Sequence, residues 1–171
     1  MSGIGDFIGD LIKAAAKWVD KCLPEYEPSV WNSSTYVRQH NNCYNYGCDI
    51  QTNTYAQPGE AAGQKYTSID CPAVTKAAKA DGLKSVGNEQ GCGCSECHHL
   101  VALVIKPTGS KDYHWYRRDR NGKWSHKMGG TPCTNLDNSN NIITDPKTAD
   151  RGAYTIFCGY FCVNKSKVTI T

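Results

Sequence analysis

Ten cysteines in a chain of 171 residues restrict what this sequence can fold into more than any other feature. This number is high for a protein of the reducing cytosol and below the density of a small disulfide scaffold. Since ten is even, five disulfides would leave no free thiol, whereas a reactive cysteine in an unmodified monomer requires a second unpaired one. The cysteines are Cys22, Cys43, Cys48, Cys71, Cys92, Cys94, Cys97, Cys133, Cys158 and Cys162.

Residues 1–23 have the spacing of an amphipathic helix. Apolar side chains recur every three or four residues, and the acidic and basic ones share the opposite face. Pro24 and Pro28 end the pattern. We expect this helix to dock on the main domain. A membrane surface or a protein partner that contacts residues 4–22 is the alternative, although three Asp and three Lys cancel and anionic lipid favours excess positive charge.

The chain shows no recognisable targeting or membrane segment. Asp6 and Asp10 interrupt the N-terminal apolar stretch and no basic segment precedes it, unlike a secretory signal peptide. The longest apolar run, residues 100–105, is too short to cross a bilayer. Because the cysteine content still favours an oxidising environment, we expect a secreted or virion-associated protein that leaves the cell by a non-classical route.

The remaining sequence predicts a linker or irregular wrap over 24–42 and a single domain over 43–171. Helical patterns come first, near 42–49 and over 72–81, where Asp70 is an expected N-cap and Gly82 an expected stop. Strand patterns follow in HLVALVIK, DYHWYRRD and KWSHKMG and, near the C-terminus, in YTIFCGYFCV and KVTIT. Helices followed by antiparallel strands indicate an α+β fold with helices packed on an antiparallel sheet.

Cys43 lies at the start of the first of these helices, and His99 begins the first long strand. Unpaired N–H groups at a helix N-terminus lower the pKa of a thiol and hold an oxyanion. A nucleophilic cysteine also needs an imidazole as base and a third group that orients the imidazole. The pattern is therefore consistent with thiol chemistry, and a disulfide or a core thiol is the alternative for Cys43.

Two blocks, NNCYNYGCDIQTNTYAQPG and DYHWYRRDRNGKWSHKMGG, resemble those of an uncharacterised group of bacterial and viral proteins. The stretch from His99 to the second block resembles the histidine strand of papain-like cysteine peptidases, and the order of cysteine and histidine is similar to that of NlpC-type enzymes. This resemblance implies a papain-like or NlpC-like domain and a cysteine peptidase or amidase, a thiol acyl hydrolase of peptide or amide substrates without a cofactor.

Residue by residue, the resemblance makes Cys43 the nucleophile and His99 the general base. Asp119 would lie across a hairpin from His99 and orient it. His114 occupies the position that the NlpC-type resemblance favours, and His126 is a further candidate base. Each histidine is also compatible with an ordinary half-buried strand position.

A competing hypothesis is a zinc-binding module, because thiolates and imidazoles fill the tetrahedral shell of zinc. The candidate ligands are Cys92, Cys94, Cys97 and His98, and they include one C-x-x-C pair. A second pair at finger-like spacing is missing, so disulfides are the favoured use of these thiols. Zinc bound at His99 would remove the base of the peptidase.

Two further function classes follow from charge and cysteine content. Residues 106–127 carry seven basic and two acidic side chains among four aromatic ones, a pattern that grips single-stranded nucleic acid. The aromatic residues lie on predicted strands and suit a core, so nucleic acid is not the expected partner. The alternative to an enzyme is a disulfide-stabilised structural or delivery component of a virion, injection device or toxin.

Overall fold

The strands form one antiparallel sheet in a computed structural model that describes residues 7–14, 22–88, 92 and 97–171. Within these residues the sheet has six strands in the order β1-β6-β2-β3-β4-β5. Long central strands at β2 and β6 are flanked by shorter ones toward both edges. The strands are β1 (Lys84–Val86), β2 (His99–Lys106), β3 (Asp112–Arg118), β4 (Trp124–Lys127), β5 (Cys133–Thr134) and β6 (Ile156–Val163).

Four helices with defined ends precede the sheet in the described part of the chain. They are α1 (Pro28–Trp31), α2 (Thr35–His40), α3 (Cys43–Cys48) and α4 (Cys71–Ala80). The helix predicted over 72–81 is confirmed, since the side chain of Asp70 accepts a hydrogen bond from the backbone N–H of Ala73 and caps α4. The α+β class with helices and an antiparallel sheet is therefore confirmed.

Some boundaries differ from the prediction. Residues 24–42, for which a linker or irregular wrap is predicted, contain α1 and α2, and Trp31 packs edge-to-face on Tyr46. The strand predicted over KVTIT is wrong. Val168 and Ile170 alternate into the core as a strand would, but the backbone N–H groups of Val168 and Thr169 bond to Asn164 and Asp81 instead of a neighbouring strand.

The predicted N-terminal helix is described over residues 7–14, which are helical, while Ile4, Ala15, Trp18 and Val19 lie outside the described residues. In the described part the apolar side chains face solvent: Phe7, Ile8, Leu11 and Ile12 are 51–67% exposed. These eight residues therefore do not dock on the sheet as expected. No helix in the described ranges combines the length and apolar character needed to cross a membrane.

Strand β2 separates two hydrophobic clusters, because successive side chains of a strand point to opposite faces. Val101, Leu103 and Ile105 pack with residues of α3 and α4 on one face. Leu100, Ala102 and Val104 pack on the other face, against a cluster that includes Ile143 and Tyr154. Both faces of the sheet are therefore covered, and α3 packs on one of them.

Arg117 on β3 fixes the position of α3 through a buried polar network. Its guanidinium donates to the Asp119 carboxylate at 3.1 Å, to the Asp49 carboxylate at 2.9 Å and to the Glu25 carbonyl at 2.7 Å. It also lies 4.0 Å from the centre of the Tyr46 ring. One fully buried cation thus joins the segment before α1, the C-terminal part of α3 and the end of β3.

Replacement of Arg117 by Met should lower the free energy of unfolding by about 3–5 kcal/mol, because it leaves the buried Asp119 carboxylate unpaired. Urea unfolding of the two proteins measures this difference. Arg120→Gln is the matched control, since Arg120 pairs with Glu25 at the surface and such pairs contribute about 1 kcal/mol or less. Equal losses in both variants would contradict the central role of Arg117.

Candidate functional site

Cys43 is the first residue of α3, as the sequence predicts. The Asn42 side chain accepts hydrogen bonds from the backbone N–H groups of Tyr44 and Asn45, and the Asn45 side chain accepts one from the N–H of Asn42. This reciprocal capping box fixes where the helix begins. The Asn42 amide also donates to the Ala56 carbonyl at 2.7 Å, so the helix start is held against the following loop.

Burial dominates the chemistry of the Cys43 thiol. The residue is 6% exposed and free of any disulfide. Burial raises the pKa of the thiol to about 12, and a backbone hydrogen bond from Trp115 opposes this shift only in part. At neutral pH the group is therefore a neutral thiol, whereas a nucleophile and a metal ligand must be a thiolate.

His99 and Asp119 have their polar partners in different places. The His99 ring bonds through Nε2 to the Gly47 carbonyl at 2.7 Å, and burial lowers the pKa of the ring to about 4. The Asp119 carboxylate pairs with Arg117. The pairing of Val101 with Arg117, continued by two residues, would place Asp119 opposite His99, but β3 ends at Arg118. The His99 ring instead bonds to the backbone of α3, and the Asp119 carboxylate neutralises the Arg117 guanidinium.

Cys43 and His114 both line a cavity of about 150 Å³ between α3, the loop after it, and strand β3. Tyrosines supply much of its wall. Among the lining residues that the structure describes, Asp112 is the one carboxylate and there is no lysine or arginine. The lining residues are Asn42, Cys43, Tyr55, Gln57, Tyr66, Asp112, Tyr113, His114, Met128, Gly129 and Tyr154.

His126 fixes the hydrogen-bonding state of His114. The His126 ring bonds through Nε2 to the Leu136 carbonyl at 3.1 Å, and Nδ1 lies 2.8 Å from His114 Nε2. Burial lowers the pKa of both rings, so each is neutral at pH 7. Because a carbonyl only accepts, His126 Nε2 carries the hydrogen and its Nδ1 accepts from His114 Nε2–H. His114 Nδ1 is consequently a hydrogen-bond acceptor.

Tyrosine hydroxyls around the cavity donate to other protein groups. Tyr66 and Tyr113 both donate to the Gln57 side-chain oxygen, at 2.7 and 2.9 Å, and Tyr154 donates to Asp112 at 2.6 Å. Sequence reasoning overlooked these residues. The signal that was available is the polar aromatic character of TYAQ after α3 and of DYHW on β3, both of which lie in the two quoted blocks.

Two of the predicted zinc ligands are committed to disulfides. Cys92 pairs with Cys162 and Cys97 pairs with Cys22, while Cys94 lies outside the described residues. A third disulfide joins Cys71 to Cys158. A disulfide sulfur cannot act as a thiolate ligand, and no cluster of three or more metal-binding side chains occurs in the described ranges.

One curated protein with substantial similarity is insoluble matrix shell protein 1 from Ruditapes philippinarum. It is 45% identical to this chain over 142 residues, which is 83% of this chain and 91% of the relative. No protein-family model matches the chain. No solved structure matches it either.

These findings correct the functional reading of the sequence. The predicted membership in a bacterial and viral group related to papain-like or NlpC-type enzymes is wrong, because the 45% identical relative bears the name of a shell matrix protein. The predicted cysteine peptidase or amidase is wrong for the same reason. The catalytic roles assigned to Cys43, His99, His114 and Asp119 stay predictions, and the neutral buried thiol gives them no support.

The buried thiols should be inert in the folded protein. Cys43, Cys48 and Cys133 are 6% exposed or less. We expect iodoacetamide to leave all three unmodified under native conditions and to alkylate them fully in 6 M guanidinium, about the concentration that unfolds even stable domains. Peptide mapping by mass spectrometry measures both states. Rapid native alkylation of Cys43 would contradict the burial that raises its pKa.

Acid should weaken the fold through His99. Its pKa is about 4 in the folded protein and about 6.5 when unfolded, so the unfolded chain takes up the proton first as the pH falls. The free energy of unfolding should therefore fall by about 3 kcal/mol between pH 6.5 and pH 4 through this group. Urea unfolding of His99→Gln across this window should show a flatter pH dependence. Parallel curves would contradict the assignment.

Proposed function

Since the chain belongs to the family of insoluble matrix shell protein 1, we propose that it is an extracellular structural component of an insoluble matrix. The observation that supports this most directly is the 45% identity, which extends over 91% of that relative. The matched region also extends over 83% of this chain. In such a role the fold has to be stable and to associate with other components, and it does not have to catalyse a reaction.

The disulfides support an extracellular location. They close loops of 75, 87 and 70 residues for Cys22–Cys97, Cys71–Cys158 and Cys92–Cys162. Such bonds persist in oxidising compartments and are rare in the cytosol. In the chain-entropy view each loop of this length stabilises the fold by about 4 kcal/mol. A chain of 171 residues can fold on its hydrophobic core alone, so the disulfides add resistance to unfolding.

Other matrix components are the partners that this proposal implies. The exposed apolar side chains of Phe7, Ile8, Leu11 and Ile12 present a surface for such contacts on the described part of the N-terminal helix. Contiguous exposed apolar side chains mark interaction sites on many proteins. Asp10 and Lys13 lie in the same segment, so its ionic character is balanced and favours a protein partner over anionic lipid.

Fractionation of the extracellular material of the source organism tests the proposal. We expect tryptic peptides from residues 99–163 to remain in the insoluble material that is left after successive extractions with salt, acid and detergent. An abundant cytosolic protein followed through the same steps is the control, and it should leave in the salt extract. Recovery of the chain mainly in the salt-soluble fraction or inside cells would contradict a structural matrix role.

A further inference from the structure

We propose that the cavity beside Cys43 binds a primary ammonium group on a short alkyl stem, the chemistry of a lysine side chain on another polypeptide. The proposal rests on the hydrogen-bonding capacity, the charge and the size of the cavity and is independent of where the protein acts. A structural role in a matrix does not require a ligand cavity, so the cavity represents a second property of the molecule.

The hydrogen-bonding atoms offered by several cavity side chains are acceptors. The hydroxyl hydrogens of Tyr66, Tyr113 and Tyr154 are used within the protein, so these phenols can offer a ligand only oxygen lone pairs. The Tyr66 and Tyr113 hydroxyls also bond to each other, which uses part of this capacity. His114 also lines the cavity, and its Nδ1 is an acceptor because the Nε2 hydrogen is given to His126. An ammonium has three donors and no acceptor, and it matches such a set better than an alcohol or a carboxylate does.

The electrostatic field of the cavity favours a cation. Within the described part of the chain, its lining contains one carboxylate, that of Asp112, and no lysine or arginine. Lys127 lies nearby, but its ammonium donates to the backbone carbonyls of Arg38, Asn41 and Gly129. At the Cys43 thiol, Asp112 raises the pKa more than Lys127 lowers it.

The tyrosine walls add a contact that is specific for cations. Tyr66 and Tyr113 meet edge-to-face with ring centres 5.4 Å apart, and Tyr154 lies 5.4 Å from the ring of His114. A cation is attracted to the face of an aromatic ring, and apolar ring surface suits the methylene groups of a stem. The cavity therefore offers both parts of an alkylammonium a matching surface.

Geometry favours an ammonium over a guanidinium. The two oxygens of Asp112 already accept from Tyr154 and from the backbone N–H of Tyr113, at 2.6 and 2.9 Å. The paired face that a guanidinium fork requires is thus partly occupied, whereas separate acceptors suit the rotatable donors of an ammonium. Lys106, cross-strand from Asp112, does not take the place of a ligand, because its ammonium donates to the Ser110 hydroxyl.

The size of the cavity selects a side chain instead of a whole molecule. Its volume of about 150 Å³ is below the range of roughly 300–1,000 Å³ that is typical for drug-sized ligands. A stem of four methylenes with one ammonium is a group of the right scale. This is the reason to assign the ammonium to lysine and to treat an amino sugar as the competing source.

Titration of the purified full-length protein at pH 7 tests the site. The probes are Nα-acetyl-lysine methylamide and butylamine, and the comparison probes are Nε-acetylated lysine derivative, butan-1-ol, the arginine derivative and glucosamine. Calorimetry should show binding of the two alkylammonium probes, and at least tenfold weaker binding of every comparison probe. Binding of butan-1-ol at the strength of butylamine, or tighter binding of glucosamine or of the arginine derivative, would overturn the proposal.

Asp112→Asn should weaken the binding of both alkylammonium probes at least tenfold. Asp145→Asn is the matched control, because Asp145 accepts from the Tyr160 hydroxyl at 2.6 Å in the same way but lies outside the cavity. The control should bind as the unaltered protein does. Equal weakening in both variants would show nonspecific charge attraction and overturn the proposal.

A second measurement on the unaltered protein does not depend on the folding of any variant. The ¹⁵N resonance of His114 Nδ1 should shift upon addition of butylamine and stay in place upon addition of butan-1-ol, because only the ammonium donates strongly to this nitrogen. If the chemical shift of this nitrogen does not change at a saturating concentration of butylamine, the assignment of His114 to the site is overturned.

Discussion

The Arg117 guanidinium is the interaction on which the arrangement of helix and sheet depends. A buried cation is tolerated only when its charge is paired and its donors are satisfied. Here Asp119 and Asp49 provide the charge, and the carbonyls of Glu25 and Tyr46 provide further acceptors. These groups come from three separate parts of the chain, so the network forms only when all three have folded. The position of the C-terminal part of α3 on the sheet follows from this requirement, while the capping box of Asn42 and Asn45 fixes its start at Cys43.

The cysteines divide according to where they lie in this arrangement. Those in disulfides tie early and late parts of the chain to the sheet: Cys71 at the start of α4 and the loop residue Cys92 both reach β6. Cys43, Cys48 and Cys133 instead fill core positions as small apolar side chains. In an unmodified monomer with ten cysteines, a complete set of disulfides and a free thiol cannot coexist. The described residues contain both disulfides and free thiols, so pairing is incomplete, and the free thiols lie in the core.

Regular patterns in the sequence predicted the regular parts of the fold. Strands β2, β3, β4 and β6 and the capped helix α4 have strong local signals, because apolar periodicity and an N-cap act over a few residues. Strand β1 and strand β5 have three and two residues and exist only through pairing with a neighbour, so no local signal marks them. The failure at 167–171 has the same origin, since alternating burial there is satisfied without strand partners.

The candidate site shows why residue types alone did not predict function. A cysteine at a helix start and a nearby histidine are the parts of a nucleophilic pair, and the sequence placed Cys43 correctly at the beginning of α3. The charge state of such a pair depends on burial and on hydrogen-bond direction, which no local pattern contains. Burial keeps the Cys43 thiol protonated, and the bond from His126 to the Leu136 carbonyl makes His114 Nδ1 an acceptor. The same two neutral side chains therefore line an acceptor-rich cavity, in which Asp112 is the carboxylate among the described lining residues and favours a cation.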